Sequence, residues 1–320
     1  MLLLLFVSAP AFIPKNRYRR RRDYFRCFCW IAAVIIIFLL GLIIDEIFTK
    51  ALPAIRHFGW HFLTSSEWRP NRDLYGVLPM LFGTAVSSLL ALLLALPLGL
   101  AVALFLSENF LPRPLRQLMR MIVEMLAATP SVVYGLWGIF TLVPLVQHYG
   151  EIVVHHCGWI PFLHGPAYGN SLLTASLVLA LMVLPTIAAI SRASLVAIPE
   201  TLREGAYALG ATRWETITRV LLPYAAPGIV AASILAFGRA MGETMAVAML
   251  IGNSQRLTLS IFSPSNTLSA LLANQFSEAE GLQINALMYA AFILILLTLG
   301  TNIIGELVLR RTQRALGGGS

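Results

Sequence analysis

Six long apolar stretches, separated by charged or turn-forming segments, organise this chain: Phe28–Ile44, Val77–Ser107, Met121–Val146, Ser171–Ile190, Tyr224–Ile251 and Ala286–Val308. A hydrocarbon core of about 30 Å takes about 20 helical residues to cross, so each stretch predicts a transmembrane helix. The third is the most interrupted, by Glu124, Pro130, Gly135 and Pro144. Little chain is left over for a soluble domain. The pattern therefore predicts an all-α membrane protein with six transmembrane helices. Within the second stretch, Gly83, Ser87 and Ala91 recur at intervals of four, a small-residue stripe that lets helices approach closely.

Two ionisable residues break the apolar pattern of the fifth stretch. Arg239 and Glu243 stand four apart in Phe237-Gly-Arg-Ala-Met-Gly-Glu-Thr-Met-Ala-Val247. A charge in hydrocarbon is costly unless it is paired or faces water, and a spacing of four places both groups on one helix face. They are a candidate polar pathway, or else a same-helix ion pair that makes the span tolerable in lipid. Thr244 and Asn253 are weaker candidates, read as a back-bonded hydroxyl and a solvated loop amide. Glu124, four residues after Arg120, reads as a local ion pair.

Composition agrees with the pattern, since only 12% of residues are charged and 58% are hydrophobic, against about a quarter charged in a soluble domain. Charge placement orients the spans. Lys15, Arg17, Arg19–Arg22, Arg26, Arg113, Arg116, Arg120, Arg192, Arg203, Arg213, Arg219, Arg310, Arg311 and Arg314 all fall on one side if both termini are cytoplasmic. Lys50, Arg56, Arg69, Arg72 and Arg256 fall outside. The net charge of +8 is then accounted for by anionic membrane lipid rather than nucleic acid. The apolar leader Met1–Ile13 precedes the basic run, the reverse of a secretory signal. The terminal Gly-Gly-Gly-Ser320 reads as a linker. Cys27, Cys29 and Cys157 form neither a disulfide framework nor a zinc spacing. All six histidines fall in expected outer loops, where solvated residues are a simpler reading than a metal site. In the first outer segment, Trp60, Phe62, Trp68 and Tyr75 are expected along the headgroup zone.

The segment 199–223 is the most informative soluble piece. Pro199 suits a helix start, Glu200 and Glu204 suit its positive end, and Gly210 suits the left-handed turn that closes it. Thr212-Arg-Trp-Glu215 has the form of a capping box, which predicts a second short helix before Pro223. A compact helix–turn–helix of this kind offers a grip to another protein. The only lysines are Lys15 and Lys50, and neither sits in a P-loop. If ATP drives this protein, another polypeptide holds the ATP and its Mg.

Glu204-Gly-Ala-Tyr-Ala-Leu-Gly-Ala-Thr-Arg-Trp-Glu-Thr-Ile-Thr-Arg-Val-Leu-Leu-Pro223 resembles the EAA loop of ABC importer permeases, with Gly205 in place of the middle alanine. Glu204, Ala206, Gly210, Ile217, Leu222 and Pro223 fit that motif. Trp68-Arg-Pro-Asn-Arg-Asp-Leu-Tyr-Gly76, Pro130-Ser-Val-Val-Tyr-Gly-Leu-Trp-Gly138, Gly238-Arg-Ala-Met-Gly-Glu-Thr-Met-Ala246 and Ala273-Asn-Gln-Phe-Ser-Glu-Ala-Glu280 resemble the PstC-type subunit of phosphate importers. The resemblance runs over residues 20–312. It implies the type I ABC importer permease fold, with a basic cytoplasmic segment at 1–27, a permease body at 28–312 and a tail at 313–320. It also implies a PstA-like permease, two copies of a PstB-like ATPase and a periplasmic PstS-like phosphate-binding protein as partners, in a bacterial inner membrane. Arg239 and Glu243 would then lie on the phosphate path with Thr244, while Glu204, Gly205, Ala206, Gly210, Leu222 and Pro223 would couple to the ATPase. The chain itself would hold no cofactor and would be no enzyme. Its rivals are a permease for another oxyanion, such as sulfate or molybdate, and an ion-coupled carrier in which Glu243 binds the proton. An intramembrane enzyme would need a nucleophile–base pair or a metal motif, and the spans contain neither.

Overall fold

A computed structural model describes residues 19–108, 110–160 and 162–317. The leader Met1–Ile13, Lys15, Arg17 and residues 318–320 lie outside these, as do the side chains of Arg19–Arg22 and Cys157. The chain divides into two units at Thr49–Lys50. In the first, α1 (Arg19–Phe58) presents apolar side chains all round from Phe28 to Ile43. That is the surface of a helix solvated by lipid.

The second unit begins with the last turns of α1 and contains α2 (His61–Thr64), α3 (Leu78–Ser107), α4 (Arg113–Ala128), α5 (Ser131–Trp137) and α6 (Val143–Cys157). It continues through α7 (Leu172–Val196), α8 (Glu200–Ala208), α9 (Arg213–Thr216), α10 (Leu222–Gly242), α11 (Met245–Leu250), α12 (Leu268–Gln275) and α13 (Leu282–Gly317). Six stretches are long and apolar enough to cross a membrane: Arg26–Phe58, Leu78–Ser107, Ser131–His156, Leu172–Val196, Arg213–Gly242 and Leu282–Arg314. The expected number of spans holds, but the bounds of the third and fifth do not. The third begins only at Ser131, because Thr129 and Pro130 end α4. That helix is amphipathic and contributes no buried residue.

The small-residue stripe does what its spacing implies. Gly83, Ser87 and Ala91 are all buried, and α3 packs on α7 more extensively than any other pair of helices. Ala91 and Ala95 meet Val178, Leu179 and Val183 in the main core. At Gly83 the helix touches backbone: an added Cβ would lie 1.9 Å from the Asn266 carbonyl oxygen.

Two prolines inside spans are accommodated by the same device. Proline cannot donate to the carbonyl four residues back, and its ring crowds that carbonyl. A wide π turn at Gly138–Leu142 precedes Val143-Pro144, and another at Ile217–Leu221 precedes Leu222-Pro223. In each, the residue before the proline donates five residues back, Val143 to Gly138 and Leu222 to Ile217. The expected short helix at Thr212 is therefore the first turn of a continuous helix. α9, the π turn and α10 form one span, with Pro223 inside it rather than at a junction.

The aromatic residues of the first connecting segment are placed differently from expectation. Phe62, Trp68 and Tyr75 are buried and only Trp60, 83% exposed, faces outward. Phe62 stacks on Tyr289 at 4.4 Å, and Trp68 meets Tyr75 edge-on at 5.0 Å. The indole of Trp68 donates to Gln275 Oε1 at 2.7 Å. These rings form a cap over Leu268, Leu271, Leu287 and Ala290, a second core of their own. Most histidines also lie on helices rather than in loops: His57 on α1, His61 on α2, and His148, His155 and His156 on α6. Among the described residues, no group of three His, Cys, Asp or Glu side chains converges.

Candidate functional site

Arg239 and Glu243 do not share a helix face. α10 ends at Gly242, and Glu243 is extended, with φ −68° and ψ 129°. The two glycines Gly238 and Gly242 weaken the helix locally, and the chain restarts as α11 two residues later. A break at apolar depth exposes backbone groups that lipid cannot satisfy. Here neighbours satisfy them: Ser269 Oγ donates to the Glu243 carbonyl at 2.8 Å, and Thr244 Oγ1 donates to the Gly242 carbonyl at 3.2 Å. Thr244 is thus bonded locally, two residues back rather than the expected four. Asn253 is an exposed loop residue, as expected, but its amide is also bonded within the protein. It adopts a left-handed φ of 51°, donates to the Ala248 carbonyl at 3.1 Å and accepts from Asn274 at 2.7 Å.

No ion pair joins Arg239 to Glu243, although both are described residues. The Arg239 side chain is exposed and that of Glu243 half-buried. The permanent same-helix salt bridge is therefore ruled out for this conformation. By contrast, Arg120 and Glu124 pair as their spacing implies, at 2.7 Å.

The second break, at Thr129–Pro130, lies close to the first. Pro130 has no N–H to give to the Leu126 carbonyl, so the Tyr134 hydroxyl donates to it instead, at 2.9 Å. α5 then packs on α11, where Gly135 leaves room for Met249 and Ala246. The start of the third span thus packs on the segment that follows the fifth, and Arg239, on the last turn of α10, has no ion pair among the described residues. Interrupted helices persist at membrane depth where protein covers them or where they line a watery cavity.

The residues expected to couple lie elsewhere, beyond the 21-residue length of α10. Glu204 and Gly205 are exposed on α8, Ala206 is half-buried, and Leu209 is 91% exposed. Gly210 takes the left-handed φ of 83° expected of it. The capping box is complete, with Glu215 N–H donating to Thr212 Oγ1 at 3.3 Å and Thr212 N–H donating to Glu215 Oε2 at 2.9 Å. At the other end of the motif, Leu222 is half-buried and packs against Ile217, Leu221 and Ala225, while Pro223 is exposed.

Residues 95–315 match the family described as binding-protein-dependent transport system inner membrane component. The chain is 40% identical over 292 residues to the phosphate transport system permease protein PstC of Mesorhizobium japonicum, covering 89% of each. It is 39% identical over 293 residues to the PstC of Haemophilus influenzae, covering 89% of this chain and 92% of that one. The chain belongs to the PstC group of binding-protein-dependent transport permeases. Its fold resembles that of a bacterial alginate ABC transporter crystallised with a periplasmic protein, with a TM-score of 0.63, 16% identity, and coverage of 93% and 98%.

Within this PstC-type chain, several site residues gave no signal in the sequence. Tyr134 entered only within the Pro130–Gly138 motif, and Ser269 not at all. Glu108 and Arg203, 2.9 Å apart, are separated by too much chain for any spacing rule to join them. Gln275 and Asn274 too had been singled out only as parts of a motif. The structure gives them architectural work, holding Trp68 and Asn253.

Proposed function

We propose that the chain is the membrane subunit of an ATP-driven phosphate importer, with Arg239 as the group that receives phosphate inside the membrane. The observation that carries this reading is Arg239 itself, exposed on the last turn of α10 before the break at Glu243 and in no ion pair among the described residues. A buried passage for an anion needs a cation that binds and then lets go. A guanidinium presents a planar fork to phosphate oxygens, and Glu243, one residue beyond the helix end, competes for that fork when the two approach. Thr244 adds a hydroxyl at the same break. Closure of the two permeases on ATP binding moves Arg239 between substrate and carboxylate.

The importer is completed by partners of the kinds the resemblance implies: a PstA-like permease across the path, two PstB-like ATPase subunits that bind ATP and Mg, and a PstS-like phosphate-binding protein. In this reading both termini and α8 face the cytoplasm, and the exposed residues Glu204, Gly205 and Gly210 meet the ATPase. The test is radiolabelled phosphate uptake into vesicles carrying the assembled complex and binding protein, with ATP inside and excess sulfate outside. ATP-dependent uptake unaffected by sulfate is expected, and Arg239→Gln should abolish it while assembly persists. Normal uptake by Arg239→Gln would remove Arg239 from the path, and competition by sulfate would reassign the substrate.

A further inference from the structure

α8 has no fully buried residue, and one of its side chains reaches the ends of two long helices. The Arg203 guanidinium sits 2.9 Å from Glu108 Oε1 through Nη1, and Nη2 donates to the Leu195 carbonyl at 3.0 Å. Nε also lies 3.8 Å from Glu200 Oε2. The Arg203 and Glu108 side chains are only 13% and 12% exposed. Glu108 caps the end of α3, its N–H bonded to Leu104. Leu195 lies in the last turn of α7, where its carbonyl also accepts the Ile198 N–H at 3.4 Å. A single planar fork therefore ties α8 to the ends of both helices of the most extensively packed pair in the chain.

A buried ion pair is a poor choice for stability alone. Desolvating two charges offsets most of their attraction, and a well-packed apolar pair does as well or better. The contact to Glu108 is an ion pair without hydrogen-bond geometry, so the direction comes from the planar guanidinium's bond to the Leu195 carbonyl, which an ammonium or an apolar side chain does not reproduce. Beside it lies a cavity of about 160 Å³ lined by Glu108, Phe110, Glu200, Arg203, Tyr207 and Arg213, so the fork has space to shift without unpacking a core.

We propose that Arg203 is the positioning residue that converts displacement of α8 into displacement of α3 and α7, with Glu108 as its anchor. This rests on the reading of the chain as part of an ATP-driven importer. The force applied to α8 reaches the membrane-spanning body through this clamp, in parallel with the direct continuation of α9 into α10. Breaking the clamp leaves the ATPase able to turn over while less of its work reaches the spans.

The test measures phosphate taken up and ATP hydrolysed by the same vesicles, with the complete complex and saturating binding protein. In Arg203→Met and Glu108→Gln, phosphate moved per ATP is expected to fall about tenfold. Arg203→Lys keeps the charge but not the fork and is expected to fall between these and wild type. A purely structural role lowers the amount of assembled complex and leaves the ratio unchanged; that result, in either variant that assembles, overturns the proposal. If Arg203→Met does not assemble, Glu108→Gln decides on the same criterion. Wild-type uptake that does not depend on ATP removes the importer reading, and the clamp falls with it; coupled wild-type uptake with an unchanged ratio in the variants removes the clamp alone.

Discussion

Replacing Thr84 by valine tests whether the break at Glu243 is held in place from α12. Thr84 is 1% exposed, and its hydroxyl accepts the Leu268 N–H at 3.0 Å while donating to the Met80 carbonyl at 2.7 Å. Valine has nearly the same shape, so packing is preserved and only the hydroxyl is lost. The Met80 carbonyl keeps its helical partner, the Thr84 N–H. The Leu268 N–H, one of the first donors of α12, is left buried with no acceptor. Such an orphan costs about 1–3 kcal/mol, a factor of about 5 to 150 in the ratio of folded to unfolded protein. Because Ser269, the next residue, bonds the Glu243 carbonyl, the loss should also loosen the break and slow phosphate uptake. Denaturant titration of the purified complex in detergent measures the first effect and vesicle uptake the second. Thr84→Ser retains the hydroxyl and should cost far less. If Thr84→Val unfolds with wild type, or if Thr84→Ser is as damaging as Thr84→Val, the account of α12 as the support of the break is wrong.

Gly83→Ala would push a methyl to within 1.9 Å of the Asn266 carbonyl; it should destabilise by about 1–3 kcal/mol or more, seen as a lower yield of folded complex. Gly210→Ala places a Cβ at φ 83°, a loss of about 1–2 kcal/mol, and should weaken ATPase attachment in co-purification without touching Arg239. Trp68→Phe keeps the ring in the aromatic cap but removes the donor to Gln275; a loss of about 1 kcal/mol is expected on unfolding, with phosphate specificity unchanged. Arg239→Lys keeps the charge without the planar fork and should retain measurable uptake at a raised phosphate requirement, where Arg239→Gln has none.

Local signals in the sequence translated into structure with little change. The capping box at Thr212 and Glu215, the left-handed Gly210 and the pair Arg120–Glu124 each involve residues a turn or so apart, so spacing alone specifies them. The stripe Gly83, Ser87 and Ala91 told of close helix packing, though not which helix. Misreadings arose where apolar composition runs through a change in backbone. Nothing in the hydropathy of Phe237–Val247 marks the end of α10 at Gly242, because the extended Glu243 is held by Ser269 from a distant segment. The break at Pro130 did carry a signal, yet the apolar residues on both sides hid it. Trp68 and Tyr75 were expected at a headgroup surface because aromatic residues favour it. Trp68 bonds Gln275 and its neighbour Phe62 stacks on Tyr289, each more than 200 residues away in sequence, and no local pattern reports them. Glu108 and Arg203 were invisible for the same reason.

The interruption at Gly242 has a mechanical consequence. α10, with its 21 residues, is a rod about 30 Å long, with the π turn near one end and Arg239 near the other. Because α11 is a separate segment, the rod can swing without dragging the rest of the span. A swing of about 5° at the π turn carries Arg239 through roughly 2.5 Å. That displacement is the difference between a guanidinium hydrogen bond made and one lost. If Arg239 exchanges partners as proposed, a lever of this length lets small rotations at the far end of α10 bring that exchange about.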